Sequence, residues 1–241
     1  MFVLVRSATT YVWPLLLLYS HHHHYVNSLL PRQSKHTLFR QYSSLSPIDL
    51  NENIKWTSYI APKSKAIIKI AEVVDIDLIM DYTIENDLPE PFGIVTWESS
   101  YTIANLLDTE YHNSTIASLR GKTVCDVGCG TGLASLLCLT YGANVIALDF
   151  NQYSLQLGRI SYNRYRSENY AEVDEIENSI DFRYYDLLSS KELPHCELLL
   201  ISDVTYYDSL AVIVAARYVR TMTELSEYTQ RDATTSIYSA Y

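Results

Sequence analysis

The run VCDVGCGTG, residues 124–132, sets Gly128, Gly130 and Gly132 into five positions directly behind an apolar stretch. KTVCDVG (122–128) reads as a buried strand, so the glycines fall at its carboxyl end. Backbone without Cβ atoms can turn sharply there and come close to a ligand. A dinucleotide fingerprint needs its third glycine one position later, where Leu133 stands. Asp126, two residues before the first glycine, adds a carboxylate at the mouth of the loop. That charge repels a pyrophosphate and suits the cationic head of an amino acid.

Outward from the loop the pattern is regular. GLASLLCLTYG (132–142) reads as a helix stopped by Gly142, and ANVIALDF (143–150) as a second strand. Residues 153–167 supply a helix carrying Leu155, Leu157, Ile160 and Tyr162. IDFRYYDLL (180–188) and CELLLISDVTYY (196–207) read as third and fourth strands, and SLAVIVAARYVRTMTEL (209–225) as a closing helix. This alternation predicts an α/β fold: a doubly wound, mainly parallel, Rossmann-like sheet with ligands at the carboxyl ends of its strands. Upstream, apolar residues fall on even positions at Ile68, Ile70, Val74, Ile76, Leu78 and Met80, a period-two pattern that predicts a β hairpin or meander. Pro89, Pro91 and Gly93 then break the chain before a short helix from about Trp97 to Asp108.

Charge narrows the partners. Of the formal charge of -10, residues 1–48 contribute Arg6, Arg32, Lys35 and Arg40 with no acid, which leaves about -14 on the rest. Such a body is ill suited to phosphate backbones, so nucleic acid is not an expected partner. The four cysteines, Cys125, Cys129, Cys138 and Cys196, form no C-x-x-C pair and read as small core residues in a reduced compartment; no metal site is expected. YVWPLLLLY (11–19) is too short to span a bilayer and contains Pro14, so stable membrane insertion is not expected. An acid-free, Ser-rich segment with scattered arginines has the composition of a mitochondrial or plastid transit peptide. FRQYSS (39–44) suggests cleavage after Tyr42. A secretory signal and a cytosolic protein with a disordered leader are the other readings.

The strand-end residues together resemble the class I, seven-strand S-adenosylmethionine-dependent methyltransferases, with VCDVGCGTG similar to their first motif. The resemblance implies S-adenosyl-L-methionine as cofactor, with Asp126, Gly128, Gly130 and Gly132 at its methionine part. It implies further that Asp149, 21 residues beyond Gly128, receives the two ribose hydroxyls, and that Asp186 contacts the adenine amino group. The fourth strand ends in ISDVTYYDSL, where Val204 and Thr205 replace the two prolines of amide and adenine methyltransferases. Its D-x-x-Y, Asp203 to Tyr206, and the stretch PFGIVTWESSYTIANLL (91–107) resemble the methyltransferase-like protein-lysine methyltransferases. By that resemblance Trp97 packs beside the cofactor, Asp203 orients the lysine amine of a protein substrate, and Tyr206 walls the site. The family usually has Trp-Pro where this chain has Trp97-Glu98.

The expected organisation is therefore a transit peptide over 1–42, an extension with strands over 43–92, a Rossmann-like methyltransferase domain over 93–228 and a tail over 229–241. Only 34 residues follow Tyr207, so the domain is expected to lack the last strands of the family's sheet and to leave an unpaired edge. Two other functions stay open at this point: a catalytically inactive cofactor-binding fragment or partner protein, and a small-molecule methyltransferase of the same fold.

Overall fold

The computed structural model describes residues 2–6, 50, 52–86, 91–113, 119–169, 178–202 and 204. Its centre is a sheet of β4 (Thr123–Val127), β5 (Asn144–Asp149), β6 (Ile180–Tyr184) and β7 (Leu198–Ser202), all parallel. The connections β4 to β5 and β5 to β6 run through α3 (Leu133–Thr140) and α4 (Gln152–Asn169). In space the order is β7-β4-β5-β6, so the chain winds outward from β4 on one side and then crosses back to β7 on the other. This reversal at β4 is the topological switch point of an open α/β sheet, where a crevice opens beyond the strand ends. The glycine loop leaves β4 there.

Strand alternation divides the core. Val124, Val145, Ala147, Phe182, Leu198 and Leu200 face a large cluster formed with α3, α4 and α2 (Glu98–His112). Cys125, Val127, Leu148, Leu199 and Ile201 face a smaller cluster with Tyr185 and Cys196, in which no described helix takes part. All four cysteines are buried and unpaired, as small core residues are. The closing helix expected over 209–225 lies outside the described residues.

The hairpin predicted upstream is present as β2 (Ile54–Ile60) and β3 (Ile67–Val73), paired antiparallel. It is fastened to α4. Ser161 Oγ accepts the Ala71 N–H at 2.8 Å, Lys69 pairs with Glu168 at 2.8 Å, and the Arg164 guanidinium lies 4.2 Å from the Trp56 ring centroid. A second anchor is buried Asp108 of α2. It accepts the Lys63 and Ser64 N–H groups of the hairpin turn at 2.5 and 3.1 Å, together with the Tyr141 hydroxyl. Burial pushes the Asp108 pKa up, but these hydrogen bonds outweigh it and leave the carboxyl below its usual range.

The even-position pattern does not continue as strand beyond Val73. Residues 76–85 form a helix, α1 (Ile76–Glu85), in place of a third strand. Asp75 caps it by accepting the Leu78 N–H at 3.1 Å, and Ile79 and Thr83, one turn apart, are its buried positions. The alternation misled because Ile76 and Leu78, two of its apolar members, are exposed.

A further difference concerns the first residues. β1 (Phe2–Arg6) pairs antiparallel along the whole of β7, Phe2 opposite Ser202 and Arg6 opposite Leu198. The sequence reading set this segment outside the fold and left the outer edge of β7 bare. The five residues FVLVR fill that edge and pair with its backbone groups.

Candidate functional site

Loop geometry comes first. Gly128, Gly130 and Gly132 have φ of 74°, 52° and 87°, the left-handed region that L side chains adopt only with strain. The Gly128 and Cys129 N–H groups both donate to the Leu148 carbonyl, at 2.8 and 3.0 Å, which folds the loop over the end of β5. At Gly130 a Cβ would lie in ordinary van der Waals contact with the Gly93 backbone, 3.9 Å from its carbonyl oxygen, so residue 93 packs directly on the loop. Gly132 then starts α3.

Asp149, the last residue of β5, is buried and braced. One carboxylate oxygen accepts the Gly130 N–H at 2.9 Å, and the other accepts the Asn151 N–H at 2.8 Å. These bonds fix the plane of the carboxylate at the strand tip, and a carboxylate so placed is a bidentate acceptor type that suits a vicinal diol. Burial raises its pKa to about 6 against the lowering effect of the Asn151, Gly130 and Phe150 backbone groups. Asp126 lies deeper than the mouth of the loop. It shares a strand face with Val124, which turns it inward toward α3, where the Ser135 hydroxyl donates to it at 2.6 Å. Its pKa is also raised to about 6, by burial first and by the Asp149 charge besides, while Ser135 opposes the shift.

Asp186 follows the end of β6, and the preceding Tyr185 N–H donates to the Asp149 carbonyl at 2.9 Å, so the two acids neighbour each other along the sheet edge. Its carboxylate accepts the Leu188 N–H at 2.7 Å and so closes a turn. Trp97 precedes α2 as its cap residue, is about half exposed, and donates its indole N–H to the Phe92 carbonyl. Asp203 and Tyr206 lie outside the described residues. Cys129 is buried in the loop, and burial with the Asp149 and Asp126 charges pushes its thiol well up, so it is not poised as a nucleophile.

Sequence reasoning missed the strap that holds the loop. Residues 92–97 cross over it: Gly93 sits so near that a Cβ there would come within 3.2 Å of Gly130 Cα and 2.1 Å of Ser154 Oγ. Thr96 and Thr131 share a hydrogen bond of 2.9 Å, and the Thr96 N–H donates to Glu72 at 2.7 Å. Buried Glu72 on β3 also accepts the Thr57 hydroxyl at 2.6 Å and lies 3.6 Å from Lys55. Desolvation raises its pKa, but the bonds from Thr57 and Thr96 and the Lys55 charge prevail and lower it. One signal was available in the sequence: an acid at even position 72, among Ile68, Ile70 and Val74, faces inward.

These elements together form a Rossmann-like α/β sheet whose glycine loop and strand-end acids suit S-adenosylmethionine. The Gly130 N–H meets the Asp149 carboxylate where the glycine loop folds over the tip of β5. Residues 125–192 match the family described as "Methyltransferase domain". Protein-lysine methyltransferase METTL21E of Bos taurus is 33% identical over 78 residues, 32% of this chain and 25% of that protein. The methyltransferase-like protein 21E pseudogene of Homo sapiens is 27% identical over 120 residues, 48% of this chain and 41% of that sequence. The chain thus spans well under half the length of either relative. Among solved structures, the T. thermophilus 16S rRNA N2 G1207 methyltransferase RsmC, in complex with AdoMet and guanosine, aligns over 47% of this chain and 25% of its own. Its identity is 16% and its TM-score 0.34.

Proposed function

We propose that the chain is the cofactor-binding part of an S-adenosylmethionine-dependent methyltransferase that modifies lysine side chains of a protein. The observation that carries this reading is Asp149, a buried carboxylate braced at a strand tip by the N–H groups of Gly130 and Asn151, with a left-handed glycine loop beside it. Lysine as acceptor rests on the printed name of the bovine relative and on the Asp203 to Tyr206 resemblance.

In this reading Asp149 holds the ribose, Asp186 orients the adenine, and the glycine loop leaves room for the methionine part. Trp97 covers the cofactor from the strap. Asp126 acts from beneath the loop, its charge directed at the cationic head through the loop's backbone and Ser135. When bound, the cofactor would supply an electrophilic methyl group on a sulfonium: an uncharged amine would bond to that methyl as its bond to sulfur breaks, and the neutral thioether leaves without help from an acid. What the protein must add is placement and a neutral amine. Asp203 holds the lysine nitrogen in line and draws off its proton, while Tyr206 closes the site against water.

The test has two stages. Titration calorimetry with S-adenosylhomocysteine should show binding to the full chain and its loss in Asp149→Ala. Methyl transfer from labelled cofactor to a protein extract, then acid hydrolysis, should yield methyl-lysine. Equal binding by the variant would remove the ribose role, and label only in small molecules would remove the lysine assignment.

A further inference from the structure

The outer face of α1 is built in a way that helix stability does not favour. Asp77, Asp81 and Glu85 stand at i, i+4 and i+8 and make one stripe of like charge, flanked by exposed Leu78 and Ile84. Like-charged neighbours one turn apart destabilise a helix, and an acid in the last turn opposes the helix dipole. No basic residue stands in that last turn, and none of the three acids has an ion-pair partner among the described residues. The imbalance is wider than the helix: from Ile70 to Leu119 the sequence holds ten carboxylates and no lysine or arginine. Ile84 is 72% exposed and Leu78 47%, so each side of the acid row offers apolar surface to a partner.

Position links this face to the site. The inner side of α1, through Ile79 and Tyr82, packs with Ile94 and Val95 of the strap and with Tyr153 and Leu157 of α4. The same strap touches the glycine loop through Gly93 and Thr96. A chain lying along the outer face of α1 is therefore next to the segment that covers the cofactor crevice.

We propose that α1 is the docking surface for the protein substrate, and that it takes a basic segment whose lysines or arginines run along Asp77, Asp81 and Glu85 while its apolar side chains cover Leu78 and Ile84. Charge complementarity selects this occupant: a body carrying about -14 repels nucleic acid and acidic proteins, and attracts a cationic chain from a distance. The proposal rests on the lysine-methylation reading only for what happens to the docked chain. Docking itself is independent of it.

The experiment measures fluorescence anisotropy of a labelled peptide of repeated Leu-Lys-Lys-Leu with the full chain. Binding should weaken on the order of tenfold in the triple variant Asp77→Asn, Asp81→Asn, Glu85→Gln, and several-fold in Leu78→Ser with Ile84→Ser. The triple variant removes the repulsions along α1 and also the favourable first-turn charge of Asp77, so its melting temperature should stay close to the parent's. Unchanged affinity in the triple variant overturns the proposal. Equal binding of a lysine-only peptide overturns the role of Leu78 and Ile84. Displacement of the probe by a peptide of residues 1–48 at lower concentration than the probe's own would assign the face to the chain's own basic segment, and so overturn an external partner. Titration with S-adenosylhomocysteine alongside separates the two readings: lost cofactor binding with intact docking defeats the enzyme assignment alone, and the converse defeats the docking surface alone.

Discussion

At the scale of single residues, left-handed glycines and buried acids make separable predictions. Gly121 and Gly130 both have positive φ, 72° and 52°, but a Cβ at Gly121 meets nothing within 4 Å and lies away from the loop. Replacing either by Ala should cost about 1 kcal/mol or somewhat more of stability for the backbone strain. Only Gly130→Ala should also weaken S-adenosylhomocysteine, by tenfold or more, because its methyl is added against Gly93 on the residue whose N–H braces Asp149. Calorimetry on both variants checks this, and equal binding would place the ligand elsewhere. Asp126 and Asp149 add a pH dependence. Both folded pKa values stand at about 6, above the ordinary 3.8. Their contribution to stability is therefore full below about pH 4 and is lost as the pH rises through about 6. Asp126→Asn keeps an acceptor for Ser135 and removes the buried charge. It should raise the melting free energy by about 1–3 kcal/mol at pH 7.5 and leave it nearly unchanged at pH 4. Binding runs the other way: ribose hydroxyls favour ionised Asp149, so affinity should fall by at most about tenfold per pH unit below 6. The positions of Gly128, Gly130, Gly132 and Asp149 were legible because a glycine turn and strand-end acids are local signals. The depth of Asp126 was not, since its inward turn depends on strand parity against α3 and on the arrival of Ser135 from the next helix.

At the scale of elements, the site depends on how closely helices and strap approach the sheet. Gly158 in α4 faces Phe182 of β6, and a Cβ there would fall 2.4 Å from the ring. Alanine favours a helix by up to about 1 kcal/mol over glycine, but the buried ring must be displaced beneath Arg159, which costs about 1–3 kcal/mol. Gly158→Ala should therefore lower thermal stability, and an unchanged or higher melting temperature would show that the ring yields freely. The strap offers a second test. Thr96→Val removes the hydroxyl shared with Thr131 while keeping the N–H that donates to Glu72. It should weaken S-adenosylhomocysteine several-fold by loosening the cover of the loop, with a loss of about 1 kcal/mol or less in stability. The alternating strands and helices from Thr123 to Ser202 were readable from sequence because each carries its own hydrophobic period. Helix α1 was misread for the complementary reason: its exposed apolar residues imitate a strand, and the Asp75 cap that reveals a helix competes with that imitation. The strap was invisible because its hydrogen bonds join residues as far apart as Thr57, Glu72, Thr96 and Thr131.

At the scale of the whole molecule, parallel order places every candidate cofactor residue at one end of the sheet, and the hairpin and strap close that end from the side of α4. The opposite edge is finished by a segment from the far start of the chain. β7 contributes Leu199 and Ile201 to the smaller core, and its pairing partner satisfies a row of its backbone groups. No periodicity within residues 1–6 reports this, because a strand as short as FVLVR carries no information about which edge it joins. The consequence is testable by deleting residues 2–6. The described order β1-β7-β4-β5-β6 predicts that the deletion exposes the β7 edge while leaving β4, β5 and the glycine loop intact. The shortened chain should lose stability and associate at lower concentration, seen by differential scanning calorimetry and light scattering. It should still bind S-adenosylhomocysteine while folded, since none of the loop's hydrogen bonds involves β1. Unaltered melting and solubility would show that the pairing of Phe2–Arg6 with β7 contributes nothing to the fold, and loss of binding in a soluble, folded deletion would show that the sheet edge and the cofactor end act as one unit.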